Sequence, residues 1–455
     1  MKKVEACRKQ EASLEISAEV MGAKGAGFLG LSHSTSSALP GPGNVLRRTL
    51  PNGITVLARE NWSAPSVVVE GYLLAGGLDE PEELMGLASF AAGMLSRGTE
   101  RRSFAEINEI VEGVGASIGF NADHHTTSFS AKSLAEDLGL ILDILADELR
   151  HPVFPAEHVE KVRGQRLTAI AERENDTRLM AAFALRELMF DGHPLGRDLL
   201  GTRESNAAVT RSALMEFYQR YYCPQGMVVA VVGAVPAEEA VARVGEAFAD
   251  WAGERPERPP LPPVTWPQEV RRTHVAMPDK SQSDLVLGWP AMRRLDPDFD
   301  AARLANTVLG VFGMMGRLGV SVRERQGLAY YAFSRLQANK DVGLWLATAG
   351  VSPTAVDQAL GSILAEVQRL GDEPVPDEEL EDSKRYLIGS LPLRLETNDG
   401  VASVLVDIEW HGLGLDYLER YASLVTALTA EDVQRVARKY LNPNAYALAV
   451  AGPIS

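Results

Sequence analysis

The feature that most constrains this chain is an internal repeat. The segment TRSALMEFYQRYYCPQGMVVAVVGA begins at Thr210, and TAEDVQRVARKYLNPNAYALAVAGP begins at Thr429. The two align without a gap over 25 residues at an offset of 219, and Gly233 matches Gly452. Each copy has the pattern of a Thr-capped amphipathic helix, a proline turn and an apolar strand. Because 455 residues exceed one ordinary core, the repeat predicts two related α/β units.

A proline-rich segment separates the two copies. The run ERPERPPLPPVTWP spans residues 254–267, and proline at this density excludes helix and central strand. The residues that precede the first apolar strand are polar and rich in Gly, Ser and Ala. We therefore predict a flexible N-terminal tail at 1–44, a first domain at 45–253, a semi-rigid linker at 254–267 and a second domain at 268–455.

Strands and helices come in mixed order within each half. In the first half, SVVVEGYLLAGG and TTSFSAKSL are typical of strands, and helices are predicted at about 83–95, 134–150 and 155–190. Strands paired through hairpins, with helices gathered between them, predict an α+β fold rather than a doubly wound sheet. No glycine-rich phosphate-binding motif follows a strand, so nothing here indicates nucleotide binding.

Charge and cysteine content exclude several classes of protein. The formal net charge of −16 argues against a nucleic-acid or anionic-membrane surface. Two cysteines without a paired spacing favour a reducing compartment. No apolar run reaches the roughly 18 residues of a membrane-spanning helix. The sequence therefore predicts a cytoplasmic protein with no nucleic-acid and no membrane partner.

The stretch GLASFAAGMLSRGT at 86–99 has the composition of a buried helix that ends in a loop. Ser89, Ala92 and Gly93 lie at i, i+3 and i+4, so they share one helical face. None of them has a side chain that ligates a metal ion.

The order of these pieces resembles peptidase family M16, which includes pitrilysin, insulinase and the mitochondrial processing peptidase. The resemblance runs from about Leu50 to Gly452 and depends on LPNGITVLARE, GYLLAGGLDEPEELMGLASF, GHPLGRDLLGTRES and RQGLAYYAFS. It implies two homologous domains of the LuxS/MPP-like type, each a mostly antiparallel sheet flanked by helices.

Active members of this family carry an HxxEH motif on the corresponding helix. Its two imidazoles bind one Zn²⁺, and its glutamate is the general base. The matching positions here are Ser89, Ala92 and Gly93, and the further glutamate ligand, about 76 residues on, falls on Ala169. The resemblance thus implies that this chain has no catalytic residue and binds no metal or cofactor. Zinc is expected on a partner subunit.

The histidines do not suggest a replacement site. His124 and His125 are adjacent on a predicted strand, so their side chains are expected on opposite faces. His193 lies in the GHPLG turn. We predict surface or structural roles for these residues.

A pair typical of the family is retained in VRERQGLAYYAF. Family members use an Arg and a Tyr, seven residues apart, to hold the peptide backbone beside the zinc of the other half, and these positions are Arg323 and Tyr330. A guanidinium and a phenol both donate hydrogen bonds to a carbonyl or a developing oxyanion. The alternative, a surface Arg323 paired with Glu324 or another acid and Tyr330 in the core, stays open.

Two further stretches resemble family elements. SIGFNADHHTTSF resembles the edge strand that pairs with an extended substrate, with Asn121 and Ala122 as the binding residues; an ordinary sheet strand is the alternative. LGVFGMMGRLGVSV at 309–322 replaces the glycine-rich loop of some inactive subunits. It is predicted to be a core or interface segment.

The leading hypothesis is a non-catalytic, substrate-binding subunit of a heterodimeric M16-type zinc peptidase. Its partner would be a homologous subunit with HxxEH and zinc, and its substrate a peptide. Two alternatives remain open: an inactive structural or assembly protein of the same fold, and a peptide-binding homodimer without catalysis.

Overall fold

The computed structural model describes residues 39–311 and 316–453. Of the predicted tail at 1–44, residues 1–38 lie outside the described residues and residues 39–44 lie within them. In the latter part, Asn44 and Gly41 bond to each other and close a turn before the first strand. Positions 312–315 of the segment 309–322 also lie outside the described residues, whereas Leu318 and Val322 are buried in the second half's core.

The described chain forms eleven strands and fourteen α-helices. The strands are β1 Leu46–Thr49, β2 Thr55–Glu60, β3 Ser66–Leu73, β4 Ser117–Ala122, β5 Thr127–Leu134, β6 Val228–Gly233, β7 Arg271–Ala276, β8 Ser283–Ala291, β9 Ala329–Ala338, β10 Gly343–Val351 and β11 Ala447–Gly452. The first-half helices are α1 Leu87–Met94, α2 Phe104–Gly113, α3 Leu138–Arg150, α4 Ala156–Glu174, α5 Thr177–Met189, α6 Arg203–Ala208, α7 Arg211–Tyr221 and α8 Ala237–Ala247. The second-half helices are α9 Phe299–Gly310, a π-helix Gly319–Arg325, α10 Val356–Asp372, α11 Asp377–Arg394, α12 Asn398–His411, α13 Tyr417–Thr426 and α14 Ala430–Tyr440.

The strands form two sheets of matching topology. The first has the order β1-β2-β6-β3-β5-β4 and the second β7-β11-β8-β10-β9. One pair in each sheet is parallel, β2 with β6 and β7 with β11, and the remaining pairs are antiparallel. Apart from β1, the two sheets are the same pattern used twice, which confirms the α+β prediction.

The sequence repeat is also visible in local detail. The hydroxyls of Thr210 and Thr429 cap α7 and α14, and each accepts a hydrogen bond from the backbone N–H three residues on, at 3.1 and 3.2 Å. The strands that follow are fully buried and end at Gly233 and Gly452, with φ of 155° and 158°. A Cβ at either glycine would lie 2.3 Å from the first residue of the neighbouring strand. The repeat therefore marks equivalent positions in both sheets.

Each sheet is covered on one face by helices of its own half and on the other by a helix of the opposite half. Helix α12 packs on β3 and β6 of the first sheet, and α5 packs on β7, β8 and β11 of the second. The apolar residues that α12 contributes are Val401, Ala402 and Leu405, and those of α5 are Ala181, Ala184, Leu185 and Met189. We call this arrangement the reciprocal helix exchange.

Two helix predictions are corrected by local chemistry. The stretch 155–190 is two helices, because the Asp176 side chain caps α5 by accepting from Leu179 N at 2.8 Å. The helix predicted at 83–95 begins only at Leu87, after Gly86 with φ of 90°. This left-handed conformation favours glycine.

The proline-rich segment 254–267 has no helix or strand. It is nevertheless packed against the body of the protein: Arg255 and Arg258 both pair with the buried carboxylate of Asp79 at 2.8 and 2.6 Å, and Trp266 contacts Phe190. Within the described ranges, no helix combines the length and apolar character needed to cross a bilayer.

Candidate functional site

Helix α1 is fixed at its start by a buried carboxylate. Glu80 accepts hydrogen bonds from the backbone N–H groups of Gly86 and Ala88, both at 2.9 Å. These are the unsatisfied donors of a helix N-terminus, where a negative charge is stabilised. Burial outweighs these bonds and raises the pKa of Glu80 to about 7. The carboxylate thus holds the orientation of the helix that carries the predicted site.

The face of α1 that carries the predicted positions packs against α4. Ala92 is buried in the first half's core, and the nearest side-chain atom to a Cβ at Gly93 would be Val162 Cγ1 at 3.9 Å. The α4 residue that reaches Ser89 is Arg166, whose Nη1 donates to Ser89 Oγ at 2.9 Å. Ala169 lies three residues further along α4 and is half-buried.

The guanidinium of Arg166 is held by several hydrogen bonds and by an aromatic ring. Its Nε donates to Asn206 Oδ1 at 2.7 Å, and its Nη2 donates to the carbonyl oxygens of Gly86 at 2.9 Å and Leu200 at 2.8 Å. The guanidinium lies 5.1 Å from the centre of the Phe90 ring. Only 8% of the residue is exposed. Burial lowers the pKa of Arg166 to about 10, so the group stays charged at neutral pH.

The residues present at this face do not fit Zn²⁺. A zinc ion needs neutral imidazole, thiolate or carboxylate ligands, and the four predicted positions hold Ser89, Ala92, Gly93 and Ala169. A fixed guanidinium beside Ser89 repels a second cation. Elsewhere in the part of the chain that the structure describes, no group of three or more His, Cys, Asp or Glu could hold a metal ion.

The strand prediction for His124 and His125 is wrong. Strand β4 ends at Ala122, and the two histidines lie in the turn before β5. The cause is Asp123, whose Oδ1 accepts from the backbone N–H groups of His125 and Thr126 at 2.6 and 2.7 Å. This is an Asx turn, which interrupts the strand.

These histidines lie where the two halves meet. His125 Nε2 is 3.1 Å from Asp341 Oδ2 in the β9–β10 turn, and both residues line a cavity of about 120 Å³. Burial and the nearby Arg186 guanidinium lower the pKa of His124 to about 4. His193 lies in a 3-10 turn, as predicted, and its ring contacts the backbone of Pro262. These three histidines therefore contact other segments of the chain, as expected for residues with a structural role.

Strand β4 is the edge of the first sheet, with β5 as its neighbour. Asn121 is exposed and Ala122 is buried, and helix α1 packs against this strand. An edge strand has outward N–H and C=O groups that can pair with an extended chain.

Arg323 and Tyr330 are both available on the second half. Arg323 lies in the last turn of the π-helix and is half-buried, and no hydrogen bond or ion pair joins its side chain to another described residue, Glu324 included. Tyr330 is 80% exposed. The alternative of a surface ion pair and a core tyrosine is therefore wrong.

A β-bulge accounts for the exposure of Tyr330. In the register of β9 and β10, Tyr331 pairs with Gly350 and Ala329 pairs with Val351, which leaves Tyr330 as the extra residue. A bulge turns one side chain out of the regular alternation of a strand. The result is a phenol held at the sheet edge.

The chain does not combine all predicted residues in one place. Ser89, Ala92 and Gly93 lie together on α1, beside α4 and the edge strand. The π-helix and β9, which carry Arg323 and Tyr330, pack on β10, α9 and α10 of the second half.

Sequence reasoning missed Arg166, although the pattern contained a signal. The buried residues of α4 are Val159, Val162, Arg166 and Ile170, at the spacing of one apolar stripe. A charged residue on such a stripe indicates a buried, fully bonded group.

Known proteins match this chain along most of its length. Residues 55–203 match the family described as insulinase (peptidase family M16), and residues 208–387 match the peptidase M16 inactive domain. An uncharacterized zinc protease of Streptomyces coelicolor is 30% identical over 418 residues, which is 91% of each chain. A probable mitochondrial-processing peptidase subunit beta of Arabidopsis thaliana is 28% identical and covers 89% of this chain and 78% of that protein.

Solved structures agree. A peptidase M16 inactive domain from Pseudomonas fluorescens superposes with a TM-score of 0.84 at 25% identity, covering 90% of this chain and 98% of that one. A protease from Helicobacter pylori gives the same TM-score at 20% identity, covers 91% of this chain and 100% of that chain, and shares the fold. The two-sheet architecture, the order of the sequence elements and these matches together place the chain in peptidase family M16.

Proposed function

We propose that this chain is the non-catalytic, peptide-binding subunit of a two-subunit M16 peptidase. One contrast carries the proposal. In the first half a guanidinium, that of Arg166, lies beside the position of the metal ligands. In the second half Arg323 and Tyr330 carry hydrogen-bond donors that have no partner among the residues the structure describes. Bond cleavage would belong to a partner with the HxxEH motif and its zinc.

The peptide would be held by its backbone. The guanidinium of Arg323 and the phenol of Tyr330 can donate to a peptide carbonyl, and such donors stabilise negative charge as it develops on that oxygen. The exposed edge of β4, with Asn121, offers backbone groups for an added strand. Neither interaction needs a particular peptide sequence.

A partner subunit is part of the proposal. Two relatives, from Arabidopsis thaliana and Bos taurus, are named as beta subunits of mitochondrial-processing peptidase. A name of this kind supports an assembly of several chains for this one as well. A cytoplasmic location is also proposed, because two cysteines in 455 residues suit a reducing compartment.

The experiment is reconstitution with an M16 chain that carries HxxEH. We expect each chain alone to leave a set of quenched fluorescent peptides intact and the pair to cleave them. In the pair, Arg323→Ala should lower kcat/KM by about a hundredfold, because an oxyanion donor is worth about that much. Arg325→Ala is the matched control: it is exposed on the same π-helix and should leave kcat/KM unchanged.

Three results would reject parts of the proposal. Cleavage by this chain alone would contradict its non-catalytic role. A pair that cleaves equally well with Arg323→Ala would remove the role assigned to Arg323. If this chain formed a homodimer that binds peptide without cleaving it, and did so even when the HxxEH chain was present, the proposed partner subunit would be rejected.

A further inference from the structure

The residue beside Tyr330 is anchored to a buried carboxylate. The Tyr331 phenol donates to Asp284, which lies on β8 and has no exposed surface. Asp284 also accepts from the Thr177 hydroxyl and from Gln282 Nε2, the latter at 3.1 Å. Burial and the Asp284 carboxylate raise the pKa of Tyr331. The phenol therefore keeps its proton and remains a donor at neutral pH.

A glycine makes this contact possible. Gly350 on β10 pairs with Asp284 on one side and with Tyr331 on the other. A Cβ at Gly350 would lie 2.6 Å from Tyr331 Cε1 and 2.9 Å from Asp284 Oδ1. Real Cβ atoms do not approach so closely, so only glycine lets the tyrosine ring cross β10 to reach the carboxylate.

The first half of the chain completes the anchor. Thr177 and Arg178 open helix α5, and the Arg178 guanidinium lies 5.1 Å from the centre of the Tyr331 ring. The ring is thus held at its hydroxyl by Asp284 and at its face by Arg178. The register shift that creates the bulge falls directly beside it, between Gly350 and Val351.

We propose that Asp284 is a positioning residue for Tyr330. By holding Tyr331 it fixes the place where β9 skips a residue, and this fixes the direction in which Tyr330 leaves the strand. The inference rests on the proposed function, in which Tyr330 contacts the peptide. Asp284 itself touches no substrate.

The test uses the reconstituted pair and two readouts, kcat/KM for a quenched peptide and the Kd of that peptide on a pair whose partner carries an inactivating substitution in HxxEH. Tyr331→Phe removes one oxygen and keeps the ring against Arg178. We expect about a tenfold loss in both readouts, the equivalent of one hydrogen bond. Asp284→Asn, which weakens the same bond from the acceptor, should give a similar loss.

The matched control is Tyr440→Phe. The Tyr440 hydroxyl donates to Asp298 at 3.0 Å, so this variant loses the same type of bond in the same half, on α14. It should leave both readouts unchanged. Melting temperatures show whether each variant is folded. If Tyr331→Phe does not fold, Thr177→Val removes another donor to Asp284, and a smaller loss of the same kind is expected.

A double-mutant cycle separates positioning from general stability. If Tyr331 acts through Tyr330, then Tyr331→Phe has no further effect once Tyr330→Ala is present, whereas independent roles would add. Losses in kcat/KM and Kd that add in the double variant would overturn the inference and leave the proposed function standing. The same conclusion would follow if Tyr331→Phe left both readouts unchanged while Tyr330→Ala impaired them. An unimpaired Tyr330→Ala would overturn both.

Discussion

The two halves share one strand order but treat their polar groups in opposite ways. Beside α1 of the first half, Glu80 accepts hydrogen bonds from the backbone at the start of the helix. Arg166 donates to Ser89 and to the Gly86 carbonyl, so these side chains are bonded within the chain. On the second half, Arg323 and Tyr330 carry donors with no partner among the described residues. The difference teaches that two halves with one strand order can differ in their polar groups: one uses them in packing, and the other leaves two donors unpaired within the described chain.

The largest effect is expected where the first half depends on its buried charge. Arg166→Ala removes the donor to Ser89 Oγ and to Asn206 Oδ1, and one of the donors to the carbonyl oxygens of Gly86 and Leu200. It also removes a positive charge near Glu80. It should lower the free energy of unfolding by about 3–5 kcal/mol. Arg323→Ala should change it by less than about 0.5 kcal/mol. Urea unfolding followed by circular dichroism measures both, and equal effects would break the comparison between the halves.

The second effect concerns how the Arg166 guanidinium affects zinc binding at the α1 face. Ser89→His, Ala92→Glu and Gly93→His together with Arg166→Glu should bind zinc, because the carboxylate then replaces the guanidinium at Ser89. The same three changes with Ala169→Glu and Arg166 retained should bind at least about a hundredfold more weakly. Zinc affinity is measured by chelator competition. Tight binding with Arg166 in place would show that the guanidinium is no obstacle.

The third effect compares two equivalent core positions. Glu148 in ILADELR has no exposed surface, and neither of its oxygens has a hydrogen-bond donor within the described ranges. The residue 219 positions on, in ILAEVQR, is Val367, which packs in the second core. Burial, with the neighbouring Asp147, raises the pKa of Glu148 to about 8. The folded state therefore binds a proton that the unfolded state loses, and stability falls as the pH rises from about 4.5 to about 8.

Glu148→Leu removes this cost, so it should stabilise the protein by about 2 kcal/mol at pH 9 and by clearly less near pH 4.5. Melting temperatures recorded across this pH range measure the difference. A gain that stays constant with pH would show that Glu148 does not titrate as its burial indicates.

The smallest effect tests the repeat itself. Thr210 and Thr429 cap equivalent helices through the same bond. Thr210→Ala and Thr429→Ala should each cost about 1 kcal/mol, and serine should restore most of it. Urea midpoints of the four variants give the values. Since Thr429 also forms a capping box with Asp432, a larger loss at this position would sharpen the comparison, and a negligible loss at both would contradict it.

The sequence predicted those features that depend on local chemistry. The cap threonines, the buried strands after them and the absence of helix in 254–267 follow from residue types at fixed spacing. The edge position of β4 came from the family resemblance. Even where prediction failed, the local cause was present: Asp123 ends β4 and Asp176 divides the helix predicted at 155–190.

The remaining features depend on contacts between distant segments. The acceptors of Arg166 include carbonyl groups at 86 and 200, which have no side-chain signature. The bulge at Tyr330 needs Gly350 and Asp284 on two other strands. The reciprocal helix exchange could not be predicted for the same reason. The apolar residues of α5 have the spacing of any amphipathic helix, and this spacing does not indicate which sheet the helix covers.

Because of the reciprocal helix exchange, the two halves are expected to stay associated even when the chain between them is cut. If a protease cut the proline-rich segment 254–267, each fragment would still have one helix embedded in the other fragment's sheet. The two pieces are expected to remain associated and to migrate as one particle under native conditions. Made separately, each would expose an apolar sheet face and aggregate; made together, they should complement each other. The two repeated domains therefore have separate sheets but are expected to unfold and to move as one unit, because each contributes a helix to the other.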